Sequence, residues 1–328
     1  AIKYASDRFL SGNSNSDRIE FNFGGPDLFF QTIPGVFGAD LPGRFSFFLN
    51  GYGKMYDGNL PIASKLYPHR YWSSNFISDE KSDKFMDRLA SRENNDWHLL
   101  YKMTWELTPQ KKLFLSYDAS MNINQGYYMP RAFASTYFPY QYMNILDNYN
   151  TITRDTRLIN MNWTHTLSPK SFYEFTLGKF STMEHSAVQD LPWTEYQERL
   201  DLEPINYNID NTDQDGNIQI TYGDEFYDTG FAPEWYDLSS ENTRMDIDWT
   251  YHTETRHKLK TGFEHTITDI QVLDIDEPWS GSSGFGANYD SYNAKTYFGA
   301  FYFQDRIIFE GMTLNIGFRT DYWIPGRY

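Results

Sequence analysis

The chain has 328 residues, a formal net charge of −16, no cysteine, and 26 Tyr, 26 Phe and 9 Trp. Without cysteine there is no disulfide scaffold, thiolate zinc site, iron–sulfur cluster or Cys nucleophile. The negative charge argues against a nucleic-acid partner, and no apolar run approaches the roughly 18 residues of a membrane helix. The aromatic content also argues against a disordered chain.

The chain opens Ala1-Ile2-Lys3-Tyr4 and ends Pro325-Gly326-Arg327-Tyr328. It is read as processed or as a segment of something longer. Residues 1–16 are taken as a lead-in without a folded unit, and 17–328 as strands and loops of one domain.

The dominant period is two. Trp97, Leu99, Tyr101, Met103 and Trp105 alternate with His98, Leu100, Lys102 and Thr104, and Met245, Ile247, Trp249 and Tyr251 alternate with Arg244, Asp246, Asp248 and Thr250. Such segments form strands with one apolar and one polar face. Ten strands are expected, at about 17–25, 43–56, 93–107, 112–128, 151–167, 172–186, 241–252, 258–274, 294–309 and 312–324. Many are far longer than the ~5–6 residues usual in soluble sheets.

The connections sort by length. Thr108–Lys111, Ser168–Ser171, Thr253–His257 and Glu310–Gly311 are short; Asp57–Arg92, Met129–Asn150, Ala187–Ser240 and Ile275–Asn293 are long, and the two kinds alternate. Short periplasmic turns and long extracellular loops are the signature of an antiparallel transmembrane β-barrel. The first connection, Pro26–Pro42, is too long for a tight turn and is read as a periplasmic insertion. A helical pattern at 82–90 is expected to form two turns within a loop. The polar face would line a lumen with Lys102, Glu106, Asp118, Glu174, Arg244, Asp246, Asp248, Lys260, Glu264, Arg319 and Asp321. Trp97, Trp105, Trp163, Trp249, Tyr251 and Tyr322 would form interfacial girdles. About ten strands could close alone or be part of a plugged barrel of about 22.

Several segments resemble the barrel of TonB-dependent receptors of the group with a carboxypeptidase-regulatory-like domain: Ile19–Pro26 (IEFNFGGP), Arg44–Asp57, Asn122–Tyr127 (NINQGY), Trp163–Phe175, Leu259–Glu264, Ser283–Tyr292 and, above all, Phe298–Pro325. The last carries a Tyr-x-Gln-Asp element, a Gly turn and a Gly-x-Arg-x-Asp-Tyr strand. The resemblance implies the N-terminal half of a 22-stranded barrel, with the plug domain and the remaining strands outside this segment. It also implies TonB as partner, outer-membrane lipid around the barrel, a ligand bound by extracellular loops, and a candidate surface lipoprotein. The location implied is the bacterial outer membrane, and the function is transport, not catalysis.

The loop Ala187–Ser240 holds thirteen acidic residues against Arg199 alone. Such a loop repels anions and attracts cations; a solvated face reads the same way. Within it Asn211, Asp213, Asp215 and Asn217, with Gly216 at the sixth position, resemble the start of an EF-hand calcium loop. Asn at position one and Tyr222 at position twelve depart from that pattern, and an ordinary turn is the alternative. No other cofactor is expected. Trp193, Trp235, Tyr236 and Trp279 are candidate ligand contacts, with loop packing as the alternative. Two other functions stay open: a self-contained ten-stranded outer-membrane enzyme, protease-like, with His185 and Asp190 as its first pair, and a soluble β-rich glycan-binding module.

Overall fold

Period-two alternation dictates long strands, and the chain forms them. The structure, a computed structural model, describes residues 1–7, 15–26, 41–57, 63–67, 93–125, 140–202, 206–212, 218–221 and 226–326. Eleven strands make one antiparallel sheet: β1 (Ile2–Ser6), β2 (Asp17–Pro26), β3 (Arg44–Tyr56), β4 (Asn94–Thr108), β5 (Lys111–Asn124), β6 (Thr151–Ser168), β7 (Ser171–Ala187), β10 (Glu234–His252), β11 (His257–Asp276), β12 (Asn288–Phe309) and β13 (Met312–Ile324). Between β7 and β10, strands β8 (Asn206–Thr212) and β9 (Ile218–Thr221) form a separate two-stranded sheet. Each strand of the large sheet pairs with its sequence neighbour, apart from that inserted hairpin, and β1 and β13 are its edges.

All ten expected strands are present, with three corrections. The lead-in is not structureless: β1 pairs with β2 from Ile2↔Phe21 to Ser6↔Asp17, and the Tyr4 hydroxyl donates to Asp17 Oδ1 at 2.7 Å. Five residues are too few for alternation to stand out. The acidic segment 187–240 is not one loop: β10 starts at Glu234, and β8 and β9 lie within it, so Trp235 and Tyr236 are strand residues. β12 likewise starts at Asn288, well before the expected 294. The helical expectation at 82–90 lies outside the described residues.

Turns at one end are tight. β4–β5, β6–β7 and β12–β13 turn within two residues, the last at Gly311 with φ +76°. At the other end lie the long connections 57–93, 125–150, 188–233 and 277–287.

The register divides the side chains cleanly. Glu106, Lys112, Thr164, Glu174, Asp248, Gly262, Tyr302 and Arg319 form one cross-strand row, and all eleven residues expected to line a lumen share that face. On the opposite face Trp105, Leu113, Trp163, Phe175, Ile247, Phe263 and Phe301 form the facing apolar row.

That apolar surface runs diagonally across the register. On β12 it covers Phe309 to Tyr297 apart from Asp305, which pairs with His257 at 2.7 Å; on β4 it covers Trp105 to Trp97; on β2 it lies at Phe23 to Ile19. Strands tilted ~35–45° to a membrane normal require such a slant, because a level band climbs from strand to strand. Its lower edge is aromatic. The Trp105 indole donates to the Pro42 carbonyl at 2.9 Å, Trp249 to Ser171 Oγ at 2.9 Å, and Trp163 to the Tyr173 hydroxyl at 3.3 Å. Amphipathic rings with one bonded polar tip suit a membrane–water interface.

Above the band the same face turns charged. Arg157, Glu241, Asp269 and Lys295 occupy one register row with Ser181, where Lys295 pairs Asp269 at 3.5 Å and Lys179, one row below, pairs Glu241 at 2.8 Å.

Candidate functional site

The buried core is at the long-loop end, not under the sheet. Ile123, Ala187, Trp235 and Ile275 at the strand tops pack with Ala63, Leu66, Tyr142, Leu146, Val188, Tyr196 and Ala232 from the loops. Gln125, 2% exposed, ties two of these loops: its Oε1 accepts from the Ala63 N–H and its Nε2 donates to the Leu146 carbonyl, both at 3.0 Å. Burial pushes the Tyr149 hydroxyl up to about 12, and that of Tyr196 further still, so both hydroxyls stay neutral. The Tyr196 hydroxyl accepts from the Val188 N–H at 2.7 Å.

Arg199 joins three loops. Its guanidinium donates to the Tyr142 hydroxyl at 3.3 Å, pairs Glu277 at 3.3 Å, and lies 5.5 Å from the Tyr227 ring and 5.9 Å from the Trp279 ring. The one base in a strongly acidic segment therefore clamps the loop cap together. Neither partner could be read from sequence, since Tyr142 is 57 and Glu277 is 78 residues away.

The four aromatic candidates divide. Trp193 and Trp235 meet edge-on with centroids 5.0 Å apart, and Trp193 stacks on Phe285 at 6.0 Å. Their indoles donate to the Gly284 and Leu191 carbonyls, each at 3.1 Å. Trp235 is only 7% exposed and packs in the core. Trp279 packs against the same core beneath Arg199. Tyr236, next in sequence to Trp235, points to the opposite, polar face of β10, as strand geometry requires.

The polar face beside Tyr236 is acidic. Glu234 stands opposite Asp276, Tyr236 opposite Asp274, and Asp274 opposite Asp290. Burial first, then the Asp274 and Asp276 charges, raise the Glu234 carboxyl above the usual range; burial and Asp276 do the same for Asp274.

His185 and Asp190 are brought together. The ring Nε2 lies 3.5 Å from Asp190, while Nδ1 lies 3.2 Å from Asp237, with Trp235 edge-on at 5.4 Å. Two carboxylates thus bracket one imidazole. The group holds the 188–191 turn against β10. Of the calcium-type positions, Asn211 lies on β8, whereas Asp213, Asp215 and Asn217 lie outside the described residues. Among the described residues no cluster of three or more His, Asp or Glu side chains could hold a metal ion.

Further down the polar face lies a charge network that sequence pattern alone did not connect. Arg244 pairs Asp246 at 2.8 Å and Glu264 at 3.5 Å; Arg319 pairs Asp321 at 2.8 Å and also reaches Glu264. Glu264 is on β11 and Arg319 on β13, so the contact passes over β12. Ala300, fully buried and opposite both Glu264 and Asp321, leaves the room.

No protein family matches the chain, and no curated protein matches it. Among solved structures it is similar to the FpvA receptor of P. aeruginosa bound to an iron–pyoverdine complex (12% identity, 96% of this chain and 37% of that one, TM-score 0.49). It is also similar to the siderophore receptor PirA of Acinetobacter baumannii (14% identity, 99% of this chain and 39% of that one, TM-score 0.44). A third is the outer-membrane transporter YddB of Escherichia coli (11% identity, 94% and 34%, TM-score 0.45). The chain spans less than two-fifths of each of these. The architecture rests on the strands, register and faces described above.

Proposed function

We propose that this chain forms part of the barrel wall and loop cap of a TonB-dependent outer-membrane receptor that imports a ligand captured at its long-loop end. The carrying observation is the slanted apolar band: one face of the antiparallel sheet carries a diagonal run of apolar side chains that turns charged above it, while the other face carries the charged row and ion-pair network. A soluble sheet with one wet face has no need for that slant. In hydrocarbon the unpaired edges β1 and β13 would be intolerable, because every backbone polar group there needs a partner. The reading therefore places further strands outside this segment, and the resemblance to TonB-dependent receptors implies a plug there as well.

In this account the polar face lines the lumen and the tight turns face the periplasm. The loop cap, fastened by Arg199 and Gln125, forms the outer mouth. Its acidic side, with Glu234, Asp274 and Asp290, favours a cationic or neutral ligand over an anionic one. Trp193 and Phe285 offer ring surface for that ligand, and a surface lipoprotein is a candidate partner at the cap. The calcium-type residues Asn211, Asp213, Asp215 and Asn217 would add cation binding.

The test is genetic. A strain lacking the full-length receptor is compared with a strain lacking TonB for growth on single ferric siderophores, vitamins, oligosaccharides and peptides. The proposal expects the receptor's deficits to be a subset of the TonB deficits. A nutrient whose use needs this receptor but not TonB would overturn it.

A further inference from the structure

The outer face carries a groove on β2–β6, at the upper margin of the apolar band. Gly51 and Gly53 create it. They stand opposite Phe21 and Ile19 on β2 and opposite Leu99 and Trp97 on β4. The Phe21 ring covers Gly51 and the Trp97 ring covers Gly53, so closely that an added Cβ would lie 2.4 Å from either. With Ala119 continuing the small floor onto β5, an open space of about 330 Å³ remains, lined by Ile19, Phe21, Leu99 and Met121. That volume falls in the range of small-molecule sites, ~300–1,000 Å³.

The groove has a polar head. Arg157 and Asp155 line it from β6 and pair through Nη2 and Oδ2 at 2.6 Å. Among the described residues the buried Trp97 indole nitrogen has no hydrogen-bond partner. A buried donor left unpaired costs free energy, so an acceptor supplied at this point would be stabilising. Below, the groove merges into the band of Leu49, Tyr101 and Tyr117.

We propose that this groove binds a phosphate-bearing membrane lipid, one acyl chain lying along Phe21 and Leu99 and the head group accepting from the Trp97 indole beside Arg157. The inference rests on the membrane reading above. Its chemistry follows from position: an apolar trough that opens upward onto an indole donor and a guanidinium, at the level where hydrocarbon gives way to head groups.

The full-length protein, extracted from outer membranes in mild detergent and washed, is weighed intact by native mass spectrometry, and its lipid extract is analysed. One phosphate-bearing lipid is expected to stay with the wild type. Ala119→Phe, which fills the trough, should abolish retention. Trp97→Phe keeps the ring over Gly53 but deletes the donor, and should lower retention at least ~threefold. Each variant is first checked for heat-modifiable migration. Should Ala119→Phe fail to assemble, Trp97→Phe decides. Wild type without bound lipid, or variants that retain it unchanged, overturn the site. Absence of the protein from the outer membrane would instead overturn the membrane reading itself.

Discussion

The Tyr322 hydroxyl stands 2.6 Å from Nδ1 of His265, reaching from β13 to β11 over Gly299 of β12. One residue on, Arg319 reaches Glu264 past Ala300 on the other face. The Gly299-Ala300 pair thins β12 on both faces at once, and β11 and β13 become coupled through it. On the apolar face this matters most, because His265 is a polar ring in an apolar band. A Cβ at position 299 would lie 2.2 Å from the Tyr322 hydroxyl. Tyr322→Phe should therefore cost about 1–3 kcal/mol by leaving the imidazole nitrogen unpaired. Gly299→Ala should cost a similar amount by pushing the phenol away. Urea titration of the heat-modifiable species measures both, and the double variant should cost little more than either alone.

Gly51 makes a second steric prediction. The Phe21 ring rests on it, so Gly51→Ala must displace an aromatic side chain, at a cost of ~1–3 kcal/mol. Phe21→Leu in the same chain makes room. Recovery of more than half the loss in the double variant is the expected result of the same titration.

Arg199→Ala should loosen the loop cap while sparing the sheet. The residue supplies a hydrogen bond, an ion pair and two ring contacts to three loops, together worth ~1–3 kcal/mol at such a partly buried site. Limited proteolysis of membranes should then cut within 188–233 several-fold faster than in the wild type, with the strand fragments unchanged. Arg199→Lys should rescue only in part, since it loses the planar fork.

Glu234 gives the cap a pH dependence. Although its side chain reaches solvent, desolvation by the packed strand tops, then the Asp274 and Asp276 charges, raise its folded carboxyl. A raised acid binds its proton more tightly folded than unfolded, so the cap loses stability as pH rises from the ordinary glutamate range through the raised value. Asp274 acts in the same direction. Protection factors for amide exchange at the tops of β10 and β11, corrected for the pH dependence of the intrinsic rate, should be higher at pH 5 than at pH 7.5. In Glu234→Gln that difference should shrink.

The strands and their faces were legible because lipid and water demand opposite side chains at alternating positions. The apolar residues of β10, from Met245 to Tyr251, announce themselves in that way. The same strand from Glu234 to Ser240 does not. It rises above the band, where Trp235 packs into the loop core while Asp237 and Ser239 follow it on the same face, so the alternation vanishes and Trp235 and Tyr236 read as loop residues. The cap was illegible for a different reason. Its core joins Ala63, Tyr142, Tyr196, Ala232 and Ile275, residues brought together by strand pairing rather than by any local pattern. Of the candidate site residues, sequence found the aromatic types but not the division between Trp235 in the core and Tyr236 on the acidic face. His185 and Asp190 were found as a pair because only five positions separate them; Asp237, the third member, required the β7–β10 register.

The central claim is that alternate residues of one strand face lipid and lumen. The chain has no cysteine, so Asp246→Cys, Ile247→Cys, Asp248→Cys and Trp249→Cys each give a single reporter within it, read on its own peptide from the full-length protein. Outer membranes are treated with a water-soluble maleimide, and all four sites are confirmed to react once the protein is unfolded. The account predicts labelling at 246 and 248 and protection at 247 and 249. Equal labelling at all four, or labelling at 247 and 249 alone, would contradict it.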